Sequence, residues 1–154
     1  MNETTHPYRG LISRAARVVP ASPADVFRAL TDPDSMKKWW GKTEKTTLVA
    51  CDMDVRHGGR FRFGIRAENG AEDGVFGTYS EVDSPHRLAF SWSSEKAADA
   101  VADSQVMIQL YDLKDGTTRV VIVHQGLPVP HVAAIYSAGW HDRLQDMSLH
   151  FVGA

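Results

Sequence analysis

Read for hydrophobic and polar positions alone, the chain changes period twice. From residue 22 to 41 the apolar positions fall at helical spacing. In "ASPADVFRALTD", Val26, Phe27 and Leu30 make one stripe. Ser22 is placed to cap the start, Pro23 suits the first helical position, and Asp25 stands near the positive end of the helix dipole. "TDPDSMKKWWG" repeats these signals: Thr31 or Asp32 caps, Pro33 follows, and Gly41 stops a second, short helix. Ahead of both, "YRGLISRAARVVP" predicts a strand with imperfect alternation. Residues 1–8 are polar and interrupted by Pro7, and a disordered start is expected there.

After Gly41 the period becomes two. "TTLVACDMDV" puts Val49, Cys51, Met53 and Val55 on one face. "RFRFGIR" sets Phe61, Phe63 and Ile65 against Arg60, Arg62 and Arg66. "VFGTYSEV" is a strand in which Gly77 signals a bulge or a close approach. "RLAFSW" groups Leu88, Phe90 and Trp92, and "QVMIQLYDL" groups Val106, Ile108 and Leu110. "KDGT" is a hairpin turn leading into "TRVVIVHQ". "SSEKAADAVADS" is expected as a loop. From His131 the spacing is helical again, and Ile135, Gly139, Trp140, Leu144, Met147 and Phe151 are assigned to one apolar face.

Short turns between successive strands force an antiparallel meander. Its apolar face needs a cover, and only the last helix is long enough to provide one. The expected fold is α+β: a curved seven-stranded antiparallel sheet around a long C-terminal helix, with two short helices between strands 1 and 2. One domain is expected over residues 9–154, a length that supports a sizeable core.

Composition narrows the function classes. A net charge of −2 argues against a nucleic-acid partner. No apolar run of signal-peptide or membrane-spanning length occurs, so a cytoplasmic protein without membrane insertion is expected. With one cysteine, Cys51, no internal disulfide or cysteine metal cluster can form. His131, His141 and His150 are spaced ten and nine apart, which fits no helical ligand pair, so no metal site is expected. No nucleophile elbow, phosphate loop or dinucleotide fingerprint is present, and no cofactor is expected. Cys51 has inward parity and reads as buried and inert. The arginines at 56, 60, 62 and 66 read as a solvated face paired with neighbouring acids.

The segments "SPADVFRALTDPDSMKKWWG", "DVRHGGRFRF", "GTYSEVDSPHRLAFSW", "TRVVIVHQGL" and "AGWHDRLQDM" together carry a resemblance covering nearly the whole chain. It resembles the helix-grip superfamily of lipid-transfer (START), polyketide-cyclase and pollen-allergen-like (SRPBCC) domains. Within that superfamily it is most similar to the branch named after activators of the ninety-kilodalton heat-shock protein ATPase. The resemblance implies a helix-grip fold with an apolar cavity between sheet and helix, and it places Trp40 at the cavity mouth.

Candidate lining residues follow from parity and from that likeness. Phe61, Phe63, Trp92, Ile108 and Ile122 point inward from the sheet, and Ile135 and Trp140 face them from the helix. Trp39 and Trp40 are about 100° apart if both are helical, so one is expected to seal the core while the other lines the mouth. His124 shares a face with Thr118, Val120 and Ile122, and Tyr79 is a second polar candidate. The plain reading of all these residues is packed core. The functional reading is a small apolar or amphipathic ligand held in an incompletely filled cavity. Two alternatives stay open: a cyclase- or dehydratase-like enzyme using His124, with Tyr79, for proton transfer, and a chaperone-interacting module. Whether the chain forms a homodimer is also open.

Overall fold

The computed structural model describes residues 10–41, 46–96 and 101–153. The expected disordered start, residues 1–8, and positions 97–100 of the expected loop lie outside them. The elements in order are β1 (Leu11–Val19), α1 (Pro23–Thr31), α2 (Pro33–Trp39), β2 (Thr47–Met53), β3 (Arg60–Arg66), β4 (Glu72–Asp83), β5 (Arg87–Ser94), β6 (Ser104–Asp112), β7 (Thr118–Leu127) and α3 (Pro130–Val152). One curved antiparallel sheet has the order β1-β7-β6-β5-β4-β3-β2. The meander therefore runs from β2 to β7, and β1 closes onto β7. This is the α+β architecture expected from the pattern.

Local chemistry sets the helix starts. Ser22 Oγ accepts the Asp25 N–H at 3.2 Å, and Asp32 Oδ2 accepts the Ser35 N–H at 3.2 Å and its hydroxyl at 3.0 Å. Each cap is followed by proline, whose missing N–H costs nothing there. Gly41 sits at φ +85°, and a Cβ there would collide with the Thr46 carbonyl, so glycine is required.

Two pattern readings need correction, and a third, left open between two outcomes, is decided. Val49 was expected inward with Cys51, but it is exposed. The β2–β3 register shifts between Leu48 and Ala50, so Leu48 takes the inner side instead. Gly77 is not a bulge, because β3–β4 pairing runs through it in register. It is a close approach: a Cβ there would meet the Ser91 carbonyl and the Phe61 ring. The irregularity in β4–β5 pairing lies between Tyr79 and Glu81. Finally, Trp40 is not helical; with φ −66° and ψ 130° it is the extended C-cap of α2. The angular argument about Trp39 and Trp40 therefore does not describe them.

The inner face of the sheet carries Phe61, Phe63, Tyr79, Phe90, Trp92, Ile108 and Ile122, all buried. The outer face carries Arg62 and Arg66, paired as expected with Glu95 and Glu72, while Arg56 lies in the β2–β3 turn and pairs with Asp54 beside it. α3 runs against β1 and crosses to α2. Its buried residues are Trp140, Arg143, Leu144, Asp146, Met147 and Ser148, so none precedes Trp140. The second half of α3 is packed core, and the first half is only partly buried, held to the sheet where Ser13 Oγ donates to the Ala133 carbonyl and Trp92 Nε1–H donates to the Tyr136 hydroxyl at 3.1 Å. Among the described residues no helix is long and apolar enough to cross a membrane.

Candidate functional site

Two adjoining spaces lie between the sheet and α3. The inner one is small, about 40 Å³, and is walled by Trp39, Trp40, Phe61, Phe63, Tyr79, Phe90, Trp92, Ile108, Ile122 and Trp140 with aliphatic neighbours. The outer one is a cleft of about 230 Å³ under the first half of α3. Ile65, Asp73 and Val75 line it from the sheet, and Val132, Ile135, Tyr136, Gly139, Trp140 and Arg143 from the helix. Trp40, Trp92, Trp140 and Arg143 line both spaces. All four tryptophans of the chain thus gather at one place.

The structure brings together most of the residues expected from sequence. Trp40, Phe61, Phe63, Tyr79, Trp92, Ile108, Ile122 and Trp140 surround the inner space. Most of that volume is filled by their own rings: Trp40 to Phe63, Phe61 to Phe63 and Trp92 to Trp140 have centroids 6.0, 4.8 and 5.2 Å apart. Trp39 lines the inner space as well, and its indole N–H is tied to the Ala29 carbonyl at 2.8 Å, which locks α2 onto α1.

Two site expectations are corrected. Ile135 does not face the sheet beside Trp140. It is 55% exposed and reaches the cleft only at its rim. Five helical residues turn through about 140°, so Ile135 and Trp140 cannot share a face. His124 lines neither space. It lies beneath them, fully buried, with Tyr136, Trp140 and Trp92 ring centroids at 4.9, 5.9 and 6.0 Å.

The chemistry around His124 is closed. Trp140 Nε1–H donates to His124 Nδ1 at 3.1 Å. That nitrogen is therefore bare, and the ring proton of the neutral imidazole is on Nε2. Nε2–H then donates to Ser104 Oγ at 2.7 Å, and the Ser104 hydroxyl donates to the Trp92 carbonyl at 2.6 Å. Both ring nitrogens are committed within the fold. Burial pushes the imidazole pKa down to about 3, so the ring is neutral at physiological pH. Burial likewise raises the Tyr79 hydroxyl above its ordinary range and the Cys51 thiol to about 11.

A second buried polar group was not foreseen. Asp146, with no exposed surface, accepts from Arg143 Nε at 2.8 Å and from the Gly41 N–H at 2.9 Å through Oδ2. The Arg143 guanidinium lies 5.4 Å over the Trp40 ring. This junction holds the α2 end against α3 and sets the position of Trp40. Tyr136, Gly139 and Arg143 were also missed as lining residues. Tyr136 and Arg143 lie four before and three after Trp140, where helical spacing points to them, whereas Gly139, one before it, is about 100° round the helix and is placed at the cleft only by the packing. The Trp40 indole N–H is buried and has no hydrogen-bond acceptor among the described residues.

Among the described residues no group of three or more histidine, cysteine, aspartate or glutamate side chains could hold a metal ion. A broad open depression of about 920 Å³ on the outer sheet face has a mixed lining, polar at Arg60, Arg62, Thr78 and Ser91 and apolar at Met53 and Phe76.

Comparison with known proteins agrees with the fold. The family profile described as activator of Hsp90 ATPase homolog 1-like protein matches residues 20–150. Among solved structures, protein CV1439 from Chromobacterium violaceum is 25% identical, with a TM-score of 0.74 over 91% of this chain and 96% of that one. The AHSA1 protein SPO3351 from Silicibacter pomeroyi is 21% identical, with a TM-score of 0.79 over 92% and 98%. The AHSA1-like protein from Aeromonas hydrophila is 23% identical, with a TM-score of 0.74 over 91% and 92%. No protein of curated function matches significantly.

Proposed function

We propose that this chain, which belongs to the activator of Hsp90 ATPase homolog 1-like family, binds a small apolar or amphipathic molecule in the cleft under the first half of α3. The observation that carries the reading is the shared wall: Trp40, Trp92, Trp140 and Arg143 border both the open cleft and the inner space. A ligand entering the cleft meets aromatic faces and edges, which favour flat or apolar bodies. The cleft is smaller than the ~300–1,000 Å³ usual for drug-sized ligands, which favours a compact occupant.

Proton-transfer chemistry at His124 has less support. A substrate would have to displace Trp140 or Ser104 to reach either nitrogen.

The test is a tryptophan-fluorescence and thermal-shift screen with fatty acids, sterols and flat aromatic compounds. Binding shifts emission and raises the melting temperature by mass action. Trp40→Ala weakens this response more than it harms the fold. Trp39→Ala mainly destabilises, because it removes the tie to Ala29. A hit that binds Trp40→Ala as tightly as wild type would move the site elsewhere, and a screen without hits would count against the reading as a whole.

A further inference from the structure

On the side of the sheet away from the cleft, we infer that two copies of this chain associate weakly through their outer faces, about a twofold axis running along β6. The helices cover the inner face, and among the described residues no element covers the outer one. Parity that buries Val106, Ile108 and Ile122 turns Met107, Val121 and Val123 outward. Strand register then lines up one row across five strands: Arg14 on β1, Val123 on β7, Met107 on β6, Ala89 on β5 and Glu81 on β4. The row reads cation, three apolar side chains, carboxylate. At its centre lies a depression of about 330 Å³, apolar at Ala89, Met107 and Val123 and polar around them at Ser80, Gln105 and Gln125.

This order is self-complementary, which is why the occupant is a second copy. β6 is the middle strand of the five, so β1 and β4 each stand two strands, about 10 Å, from it. Rotation about an axis parallel to β6 sets Met107 against the partner's Met107 and carries Arg14 over the partner's Glu81, twice per dimer. Both charges are available. Arg14 has no ion pair among the described residues. Glu81 meets Arg87 through Oε1 at 2.8 Å, and Asp83, opposite Arg87 in the next row, adds to the negative edge. The sheet curves around α3, so its outer face is convex. The short side chains at the centre therefore touch, and the long Arg14 and Glu81 span the gap that opens at the sides. Methionine, unbranched and adaptable, suits the shared depression on the axis. With a net charge of −2, the copies repel one another little. The five-strand face offers roughly 400 Å² per copy, about half of a standard interface, which makes the association weak.

Sedimentation equilibrium from about 10 µM to about 1 mM chain tests it. The apparent mass rises from one chain toward two, half-way at on the order of 100 µM in low salt. Raising the salt weakens the dimer several-fold, because its edge contacts are exposed charges. Arg14→Glu and Glu81→Lys each set like charges opposite one another and weaken self-association about tenfold or more. Mixed in equal amounts, the two variants pair with each other about as tightly as wild type, since every edge charge then meets its opposite. Met107→Arg, at the axis, leaves the chain monomeric while the fold persists. Wild-type NMR gives a readout that needs no variant: dilution moves the amide resonances of Met107 and Val123 and leaves those of Val132 and Tyr136, at the cleft, in place. A wild type that stays monomeric throughout overturns the inference and leaves this face to a different protein. A dimer that Met107→Arg leaves intact forms elsewhere and overturns it as well, as do two charge variants that fail to pair when mixed. None of these outcomes bears on ligand binding in the cleft.

Discussion

The indole N–H of Trp140 donates to Nδ1 of His124 across 3.1 Å, joining the middle of α3 to the centre of β7. This bond chooses the histidine tautomer, and the tautomer in turn orients Ser104 toward the Trp92 carbonyl. A chain of donors thus runs from the helix through the sheet beneath the cleft.

Acid should act through this histidine. Its native pKa is pushed down to about 3 by burial, against about 6.5 in the unfolded chain. Between those values the unfolded chain binds a proton that the native chain excludes. Stability contributed by His124 is therefore intact above about pH 6.5 and is lost toward pH 3, at up to about 1.4 kcal/mol per pH unit. Urea unfolding of wild type and His124→Gln at several pH values checks it. The stability gap between them narrows on acidification, and a gap constant with pH would contradict the prediction.

Removing the donor separates packing from hydrogen bonding. Trp140→Ala costs about 3–5 kcal/mol, as large aromatic core deletions do. Trp140→Phe keeps most of the ring volume and leaves Nδ1 without its donor, at about 1–3 kcal/mol. Combining Trp140→Phe with His124→Met costs less than the sum of the single changes, because both partners of the bond are then gone. Chemical denaturation of the four proteins measures the coupling, and strict additivity would show that the bond contributes nothing.

Asp146 holds two donors from two elements through one oxygen. Asp146→Ala takes that acceptor from Arg143 Nε and from the Gly41 N–H and leaves a buried cation without its carboxylate. A loss of about 3–5 kcal/mol is expected. Amide exchange at Gly41 should accelerate in the same variant, which a general loss of packing without the hydrogen bond would not single out.

Gly139 lies inside α3 beside the cleft, and a Cβ there meets nothing within 4 Å. Gly139→Ala should stabilise the protein by about 0.5–1 kcal/mol, since glycine is a poor helix former and no neighbour has to move. Gly139→Leu should fill the cleft and abolish ligand-induced thermal shifts while the fold persists. Melting curves with and without ligand test both variants.

Cys51 should resist thiol reagents. Burial raises its pKa to about 11, so thiolate is scarce at neutral pH. Modification by a thiol-reactive disulfide reagent is expected to be slow in buffer and fast in denaturant. Rapid labelling of native protein would place the thiol at the surface.

Much of this protein was legible in one dimension because strand and helix periods are properties of the backbone. Alternation of Arg60, Phe61, Arg62 and Phe63 settled which side of β3 is inside, and the same reasoning placed Ile108, Ile122 and His124 inward. Ser22 and Asp32 marked the helix starts through bonds only three residues long. What the pattern could not carry was anything that breaks a period or joins distant positions. One extra residue between Leu48 and Ala50 turned Val49 outward. An extended C-cap, set where α2 meets α3, aimed Trp40 in a direction no helical wheel describes. Asp146 meets Gly41 across 105 residues, and Trp140 finds His124 only because α3 crosses β7 there. The size of the cavity was likewise a tertiary outcome. Inward parity says which side chains compete for the interior, but only their packed volumes decide how much space remains, and here the rings fill most of the inner space and leave the opening under the first half of α3.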